Sequence, residues 1–441
     1  MVLLNRIKTI VSLALPIIAG LVSQNIMVVI DMAMVGTLGT DALAAVGIAS
    51  QINFMSFALL IGLASGVLAI SARMQGKGNN SETAVPLNGA LLISCVVGIP
   101  LSGLLYYTAP FFFPTLHSDP NVIALGNDYL QVRVLSITAV AMTLSFRGYW
   151  SGIKRPKLFM NTLLLMLVCN VALNYLLIFG NLGFPKMGVT GAGVATSLSL
   201  FIGAVYCFYL GFKYSATSGF LQRLPTKTQL RTLITISLPQ GAQQLFRATG
   251  LTVMFIIIGS IGTDELAVAN VLVNITLVMI IPCIGFGLAA ASLVGQALGE
   301  SAPEQAKRWG WDTSLIGLLF MCSISLPMVL FPELILSIFV HEQALIDMAK
   351  LPLQLISLLL AFDAVGVILL NSLLGAGASK QVLKITFSIQ WLVFLPAAWI
   401  VSHYLGMGLL AIWCLNIAYR AIQAGIFVKI WHQGRWSTIE I

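Results

Sequence analysis

Asp31, Arg133, Arg247 and Asp363 each lie well inside a long apolar stretch of this 441-residue chain. An ionisable side chain at such depth costs about 2.5–3.5 kcal/mol unless it faces an interior cavity or a partner, so each is a candidate for a task. Asp31 stands fifteen residues past Pro16, roughly 22 Å further along a helix axis. A carboxyl there can take up and release a proton, and the plainer role is accepting hydrogen bonds that fix helix packing. Asn170 and Asn174 are four apart and share one helix face. Their amides can hold a neighbouring carboxyl in place, or simply join helices. Gln24 and Thr196 are further members of the same possible network. In the second half, Asp363 and Arg247 each stand in an apolar segment, and mutual neutralisation is the cheapest solution for both. An ion pair or short polar network between them is therefore expected, leaving Asp31 as the carboxyl free to exchange protons. Arg133 has no evident partner in the sequence.

The elements that must position these residues are membrane helices. Charged residues make up 9% of the chain and apolar ones 58%, against about one-quarter charged in a soluble domain. Twelve apolar runs, roughly 9–35, 42–72, 84–107, 121–147, 157–179, 189–213, 228–258, 265–297, 305–331, 344–372, 381–402 and 407–431, are each long enough to cross a bilayer as a helix. When loops are assigned alternately to two sides, lysines and arginines from Arg6 to Arg435 collect on the side of the N-terminus, and the other side carries Lys186 alone. This bias places both termini in the cytoplasm. It also explains the net charge of +8 as a topology signal, not a nucleic-acid surface. Arg6 and Lys8 ahead of an apolar run resemble a signal peptide, but the run's length and Asp31 favour an uncleaved first helix.

The chain also repeats itself. Val35-Gly36-Thr37-Leu38-Gly39-Thr40-Asp41-Ala42-Leu43-Ala44 returns 223 residues later as Ile258-Gly259-Ser260-Ile261-Gly262-Thr263-Asp264-Glu265-Leu266-Ala267. At the same offset Pro16 meets Pro239, Gly62 meets Gly285, Gly152 meets Gly375 and Lys157 meets Lys380, whereas Asp31 meets Met254. Six spans per copy is an even number, so both copies enter the membrane in the same direction. The expected fold is an all-α polytopic membrane protein with twelve transmembrane helices in two parallel six-helix lobes, related by a pseudo-two-fold axis along the membrane normal. The expected boundaries are an N-lobe over 1–213, a cytoplasmic linker over 214–230 and a C-lobe over 231–441.

Twelve spans in two parallel repeats, with VGTLGTDALAAVG after the first and RGYWSGIKRPK after the fourth, resemble the multidrug and toxic compound extrusion (MATE) family over essentially the whole chain. The resemblance implies export of cationic and amphipathic compounds in exchange for protons or sodium ions. It matches Asp31 to the first-span acid of that family's N-lobe cation site. Asn170-Val171-Ala172-Leu173-Asn174 stands where archaeal and DinF-like members carry Asn-x-x-x-Asp, so the asparagine is kept and the second acid lost. Asp363 matches the tenth-span acid of NorM-like members, but their seventh-span glutamate falls on Arg247 and their tenth-span tyrosine on Leu359. An arginine in place of a glutamate does not suit sodium, so the pattern is closer to the DinF-like branch, with coupling expected at Asp31.

These readings lead to a proton-coupled antiporter of the bacterial inner membrane, working by alternating access, with helix one bending near Pro16 when Asp31 is protonated. A single acid among amides suits a proton better than sodium, although Asn170, Asn174 and Thr196 also offer oxygens. The alternatives are a sodium-coupled exporter and a flippase of lipid-linked oligosaccharides, for which Arg247 and Arg133 are the hints. A major-facilitator transporter is disfavoured because the loop at Ala72-Arg73-Met74-Gln75-Gly76-Lys77-Gly78 lacks Gly-x-x-x-Asp-Arg. No nucleophile–base pair stands at useful spacing, so an enzyme is not expected. The six cysteines form no CxxC and read as small buried hydrophobes. The four histidines show no ligand-like spacing, so neither metal nor cofactor is expected. The expected partners are small amphipathic or cationic substrates and the lipid bilayer, with the protein acting as a monomer.

Overall fold

The protein is described by a computed structural model covering residues 2–116, 118–339 and 342–441. It contains the helices α1 (Val2–Gly36), α2 (Thr40–Gly76), α3 (Val85–Leu116), α4 (Pro120–Val134), α5 (Ile137–Gly152), α6 (Pro156–Phe179), α7 (Gly188–Ser215), α8 (Lys227–Gly259), α9 (Thr263–Gly299), α10 (Pro303–Leu330), the short α11 (Pro332–Leu336), α12 (Gln343–Gly375), α13 (Ser379–Phe387), α14 (Leu395–His403) and α15 (Leu409–Gln433). Among the described residues there is no strand. Among them, eleven helical stretches are long and apolar enough to cross a bilayer, and α4 with α5 makes a twelfth across a 50° bend. The twelve expected spans are all present.

Local chemistry sets the ends and breaks. The Asp119 carboxylate accepts from Asn121 N at 2.8 Å and Pro120 opens the first turn of α4, a placement in which proline's missing N–H is harmless. The bend between α4 and α5 has no proline. There the Ser136 backbone N–H and hydroxyl both donate to Arg133 O, at 3.1 and 2.7 Å. Ser197 Oγ of α7 donates to Val132 O at 3.2 Å, so carbonyls released by the bend are satisfied without water. The eleventh span is interrupted by a π-helical stretch, Ser388–Phe394, between α13 and α14. By contrast, α1 runs unbroken through Pro16.

The chain divides into two compact units, and both cuts fall inside helices rather than in the linker around 214–230. One unit is Ala19–Gly241; the other is the chain up to Ile18 together with Ala242–Ile441. The cuts lie just past Pro16 in α1 and Pro239 in α8. The first half of α1 therefore packs with the second repeat, where Arg6 Nε pairs with Asp312 Oδ2 at 2.7 Å and its guanidinium lies 4.2 Å over the Trp309 ring. The first half of α8 packs with the first repeat.

The glycines matched by the repeat mark where helices touch backbone to backbone. A Cβ on Gly152 would meet Leu68 O, and one on Gly375 would meet Ala291 O, the same contact 223 residues on. A Cβ on Gly62 would overlap the Ser237 backbone, whereas one on Gly285 would meet the side chain of Ile18. Each glycine is thus the seat of the half-helix its unit receives. All six cysteines are free; Cys207 and Cys283 are buried as expected, but Cys322 and Cys414 lie on the exterior.

Candidate functional site

Asp31 sits five residues before the end of α1, facing α6 and α7. Asn174 Nδ2 of α6 donates to Asp31 Oδ1 and, at 3.2 Å, to Asn170 Oδ1. Asn170 Nδ2 donates to Thr196 Oγ1 at 3.3 Å. Asn170 and Asn174 are fully buried, which their one-face spacing on α6 makes possible. The amide of Asn174 turns its nitrogen, not its oxygen, toward two acceptors.

Thr196 Oγ1 lies 3.2 Å from Asp31 Oδ2 and 2.9 Å from Ala192 O. A hydroxyl has one hydrogen to give. With Asp31 ionised, that hydrogen serves the carboxylate. With Asp31 protonated on Oδ2, the acid donates to Thr196 Oγ1, which then donates to Ala192 O. Both proton states are satisfied by rotating one O–H bond. Arg133, in the last turn of α4, acts electrostatically on Asp31, while its Nε and Nη1 are buried without a hydrogen-bond partner. The residue without a partner in the sequence therefore belongs to this site. Gln24 does not join it: the side chain is exposed and makes no hydrogen bond among the described residues.

The second polar cluster corrects an expectation. Asp363 of α12 does not pair with Arg247; its Oδ2 receives Arg420 Nη2 of α15 at 2.7 Å, with both side chains largely buried. The reason is adjacency, since α12 packs against α15 as well as α9 and α10. Arg247 of α8 lies within electrostatic reach of Tyr419 and Arg420, and it is exposed. Arg420 is the residue that pattern reading overlooks, and its signal was available: a basic side chain deep in the last apolar run. Beside the pair, Asn416 Nδ2 contacts Met254 Sδ at 3.6 Å, so the residue in Asp31's place is also met from the last span of its repeat.

No group of three or more histidine, cysteine, aspartate or glutamate side chains among the described residues could hold a metal ion; His117 and His341 lie outside those residues.

The MatE family model matches residues 16–176 and 239–400, one block in each repeat. The chain belongs to the MatE family. Among relatives of this MatE protein, a probable multidrug resistance protein NorM of Thermotoga maritima is 26% identical over 438 residues, 98% of this chain and 93% of that one. A multidrug resistance MATE transporter of the MOP superfamily, solved in an outward-facing conformation, superposes with a TM-score of 0.90 at 20% identity, covering 98% of this chain and 97% of that one. A MOP-superfamily transporter from Pyrococcus furiosus, described as having a binding pocket of reverse polarity, superposes with a TM-score of 0.87 at 21% identity, covering 97% and 95%. At those identities the structures carry the fold alone.

Proposed function

We propose that this MatE protein is a multidrug efflux antiporter that exchanges cationic or amphipathic compounds for protons, with Asp31 as the group that is protonated and released. The observation that carries the reading is the Asp31 carboxyl held by Asn174 and Thr196, with no second acid in the network. Sodium would need several oxygens turned inward. Here Asn174 presents a nitrogen, Asn170 Oδ1 is taken by that amide, and a guanidinium stands nearby. A proton needs only the carboxyl and an acceptor for its hydrogen. The multidrug resistance names of the NorM relatives support efflux as the direction and drugs as the cargo.

In this mechanism the ionised carboxylate is attracted by Arg133 and holds the outer half of α1 against α4, α6 and α7. Protonation from outside removes that attraction and leaves α1 free to bend near Pro16, where the proline removes one backbone hydrogen bond. Substrate leaves outward, and the proton is delivered to the cytoplasm when the carboxyl faces inward. One proton exchanged for one monovalent cation is electroneutral, so the pH gradient drives it at ~1.4 kcal/mol per unit. The protein is placed in the bacterial cytoplasmic membrane with both termini inside, as a monomer of the DinF-like branch.

The test is substrate-triggered proton release from purified protein, with and without sodium, alongside drug resistance of cells expressing Asp31→Asn at wild-type level. Undiminished resistance and proton exchange in that variant would sink the reading. Sodium-dependent, pH-insensitive transport in proteoliposomes would replace it with sodium coupling. The excess of guanidinium over carboxylate around Arg247 and Arg420 favours a second reading, flipping of a lipid-linked anionic oligosaccharide. Transport of such a lipid without drug efflux would establish it.

A further inference from the structure

A cavity of about 570 Å³ opens where the start of α1 meets the start of α10. Its volume is within the ~300–1,000 Å³ of small-ligand sites. Arg6, Glu304, Gln305, Arg308 and Trp309 line it, all within one compact unit. Arg6 stands twenty-five residues before Asp31, so proton exchange there does not use this cavity. The Arg6 guanidinium is fixed in the wall, its Nε 2.7 Å from Asp312 Oδ2 and its plane 4.2 Å over the Trp309 ring. Those two charges cancel. Glu304 and Arg308 differ from them. Both are exposed and stand four apart on one face of α10, where a bond across the turn is available. Neither makes a hydrogen bond or an ion pair among the described residues. The cavity therefore presents a free cation and a free anion side by side, next to a neutralised pair.

The cavity sits at headgroup depth. Arg308 is five residues inside the start of α10, roughly 8 Å along the axis, and Trp309 beside it is the kind of aromatic that marks a bilayer interface. Toward the bilayer core the same face of α10 turns apolar. Leu315 and Leu319, seven and eleven residues past Arg308, are exposed, as are Leu4 and Ile7 on either side of Arg6. A molecule lodged beside Arg308 thus keeps its charged end in the cavity and finds apolar surface leading away from it. That arrangement suits a glycerophospholipid, with its headgroup in the cavity and its acyl chains along the leucines. The charges select the headgroup. A guanidinium donates well to the phosphate that every such lipid carries. A free carboxylate next to it repels a net anion but accepts from a primary ammonium, which phosphatidylethanolamine holds two carbons from its phosphate. Phosphatidylcholine has no ammonium N–H to give, and phosphatidylglycerol has no cation.

We propose that this cavity binds the zwitterionic headgroup of phosphatidylethanolamine, with Arg308, beside the fixed Arg6, donating to the phosphate and Glu304 accepting from the ammonium. The site is independent of which ion drives transport. Phosphoethanolamine carries the same pair of charges in solution, and the exposed leucines of α10 favour the lipid as their source.

The test is native mass spectrometry of the full chain, stripped of lipid in detergent and offered phosphatidylethanolamine, phosphatidylcholine and phosphatidylglycerol of identical acyl chains. The first phosphatidylethanolamine binds wild-type protein roughly tenfold more tightly than either of the others, as one charge-assisted hydrogen bond implies. Glu304→Gln removes that preference, whereas Arg308→Gln weakens all three lipids about equally, a division that a purely structural role does not produce. Equal affinities in the wild type, tighter binding of phosphatidylglycerol, a preference that survives Glu304→Gln, or binding unchanged by Arg308→Gln overturns the proposal. Displacement of the lipid by an equal concentration of O-phosphoethanolamine overturns the lipid assignment and makes the ligand a soluble phosphate ester. The wild-type comparison needs no variant, so it decides even where a variant folds poorly.

Discussion

At matching places in the repeat the two halves carry opposite chemistry. Asp31 in the first half faces a hydroxyl and an amide; Met254, 223 residues on, offers a sulfur to Asn416. Gln24 in the first half is neutral, and its counterpart at the same offset is Arg247. Asp363, with its arginine, stands where the first half has Val140. The helix frame, including the paired glycine contacts, is shared. Duplication therefore fixed where helices cross, while the polar residues in equivalent seats diverged, one half toward a lone acid and the other toward an excess of base. An acid without a built-in ion pair can change its charge during a cycle; an acid locked to Arg420 cannot do so cheaply.

The largest effect expected from breaking this contrast is that of Asp31→Asn, which brings proton exchange to background, and Met254→Asp added to it does not restore exchange because the second seat lacks the Asn174–Thr196 donors. Proton release on substrate addition reads both. Next, Arg420→Met leaves Asp363 buried without its partner and lowers stability by about 3–5 kcal/mol, whereas Arg247→Met changes it by less than ~0.5 kcal/mol. Thermal unfolding in detergent separates the two, and equal losses would return Arg247 to the role of ion-pair partner. A smaller contrast is expected at the amides. Asn174→Leu removes a donor to a carboxylate, about 1.5–3 kcal/mol, and slows exchange roughly tenfold or more, while Asn416→Leu, which loses only a contact with sulfur, leaves exchange intact. The smallest lies in the frame itself. Gly62→Ala overlaps the Ser237 and Gly241 backbone and Gly285→Ala the branched Cγ1 of Ile18; each costs about 1–3 kcal/mol, the first the more, again by thermal unfolding.

Hydropathy was enough to locate all twelve spans, and a fixed offset was enough to find the repeat, because both are properties of single segments or of the chain compared with itself. Asp31, Asn170, Asn174 and Thr196 could be grouped because spacing put both amides on one face and few other polar groups shared those spans. Three features depend on how the helices pack. Arg420 is chosen over Arg247 by the packing of α15 on α12, which no pattern within either helix records. Gln24 has the right chemistry but lies on an exposed face of α1. The bend at Leu135 and Ser136 contains neither proline nor glycine and depends on Ser197, sixty residues away in α7.

The exchange of half-helices between the two repeats has a consequence for the order of events during synthesis. The start of α1 leaves the ribosome long before its seats at Gly285 and Asp312, which are made nearly 300 residues later, a delay of roughly 15–60 s at ~5–20 residues per second. The start of α8, in contrast, emerges after Gly62 and can dock as it is made. The first helix must therefore wait in the bilayer with Arg6 unpaired until the ninth span is inserted, so a helix made before all the other spans described is one of the last pieces to settle.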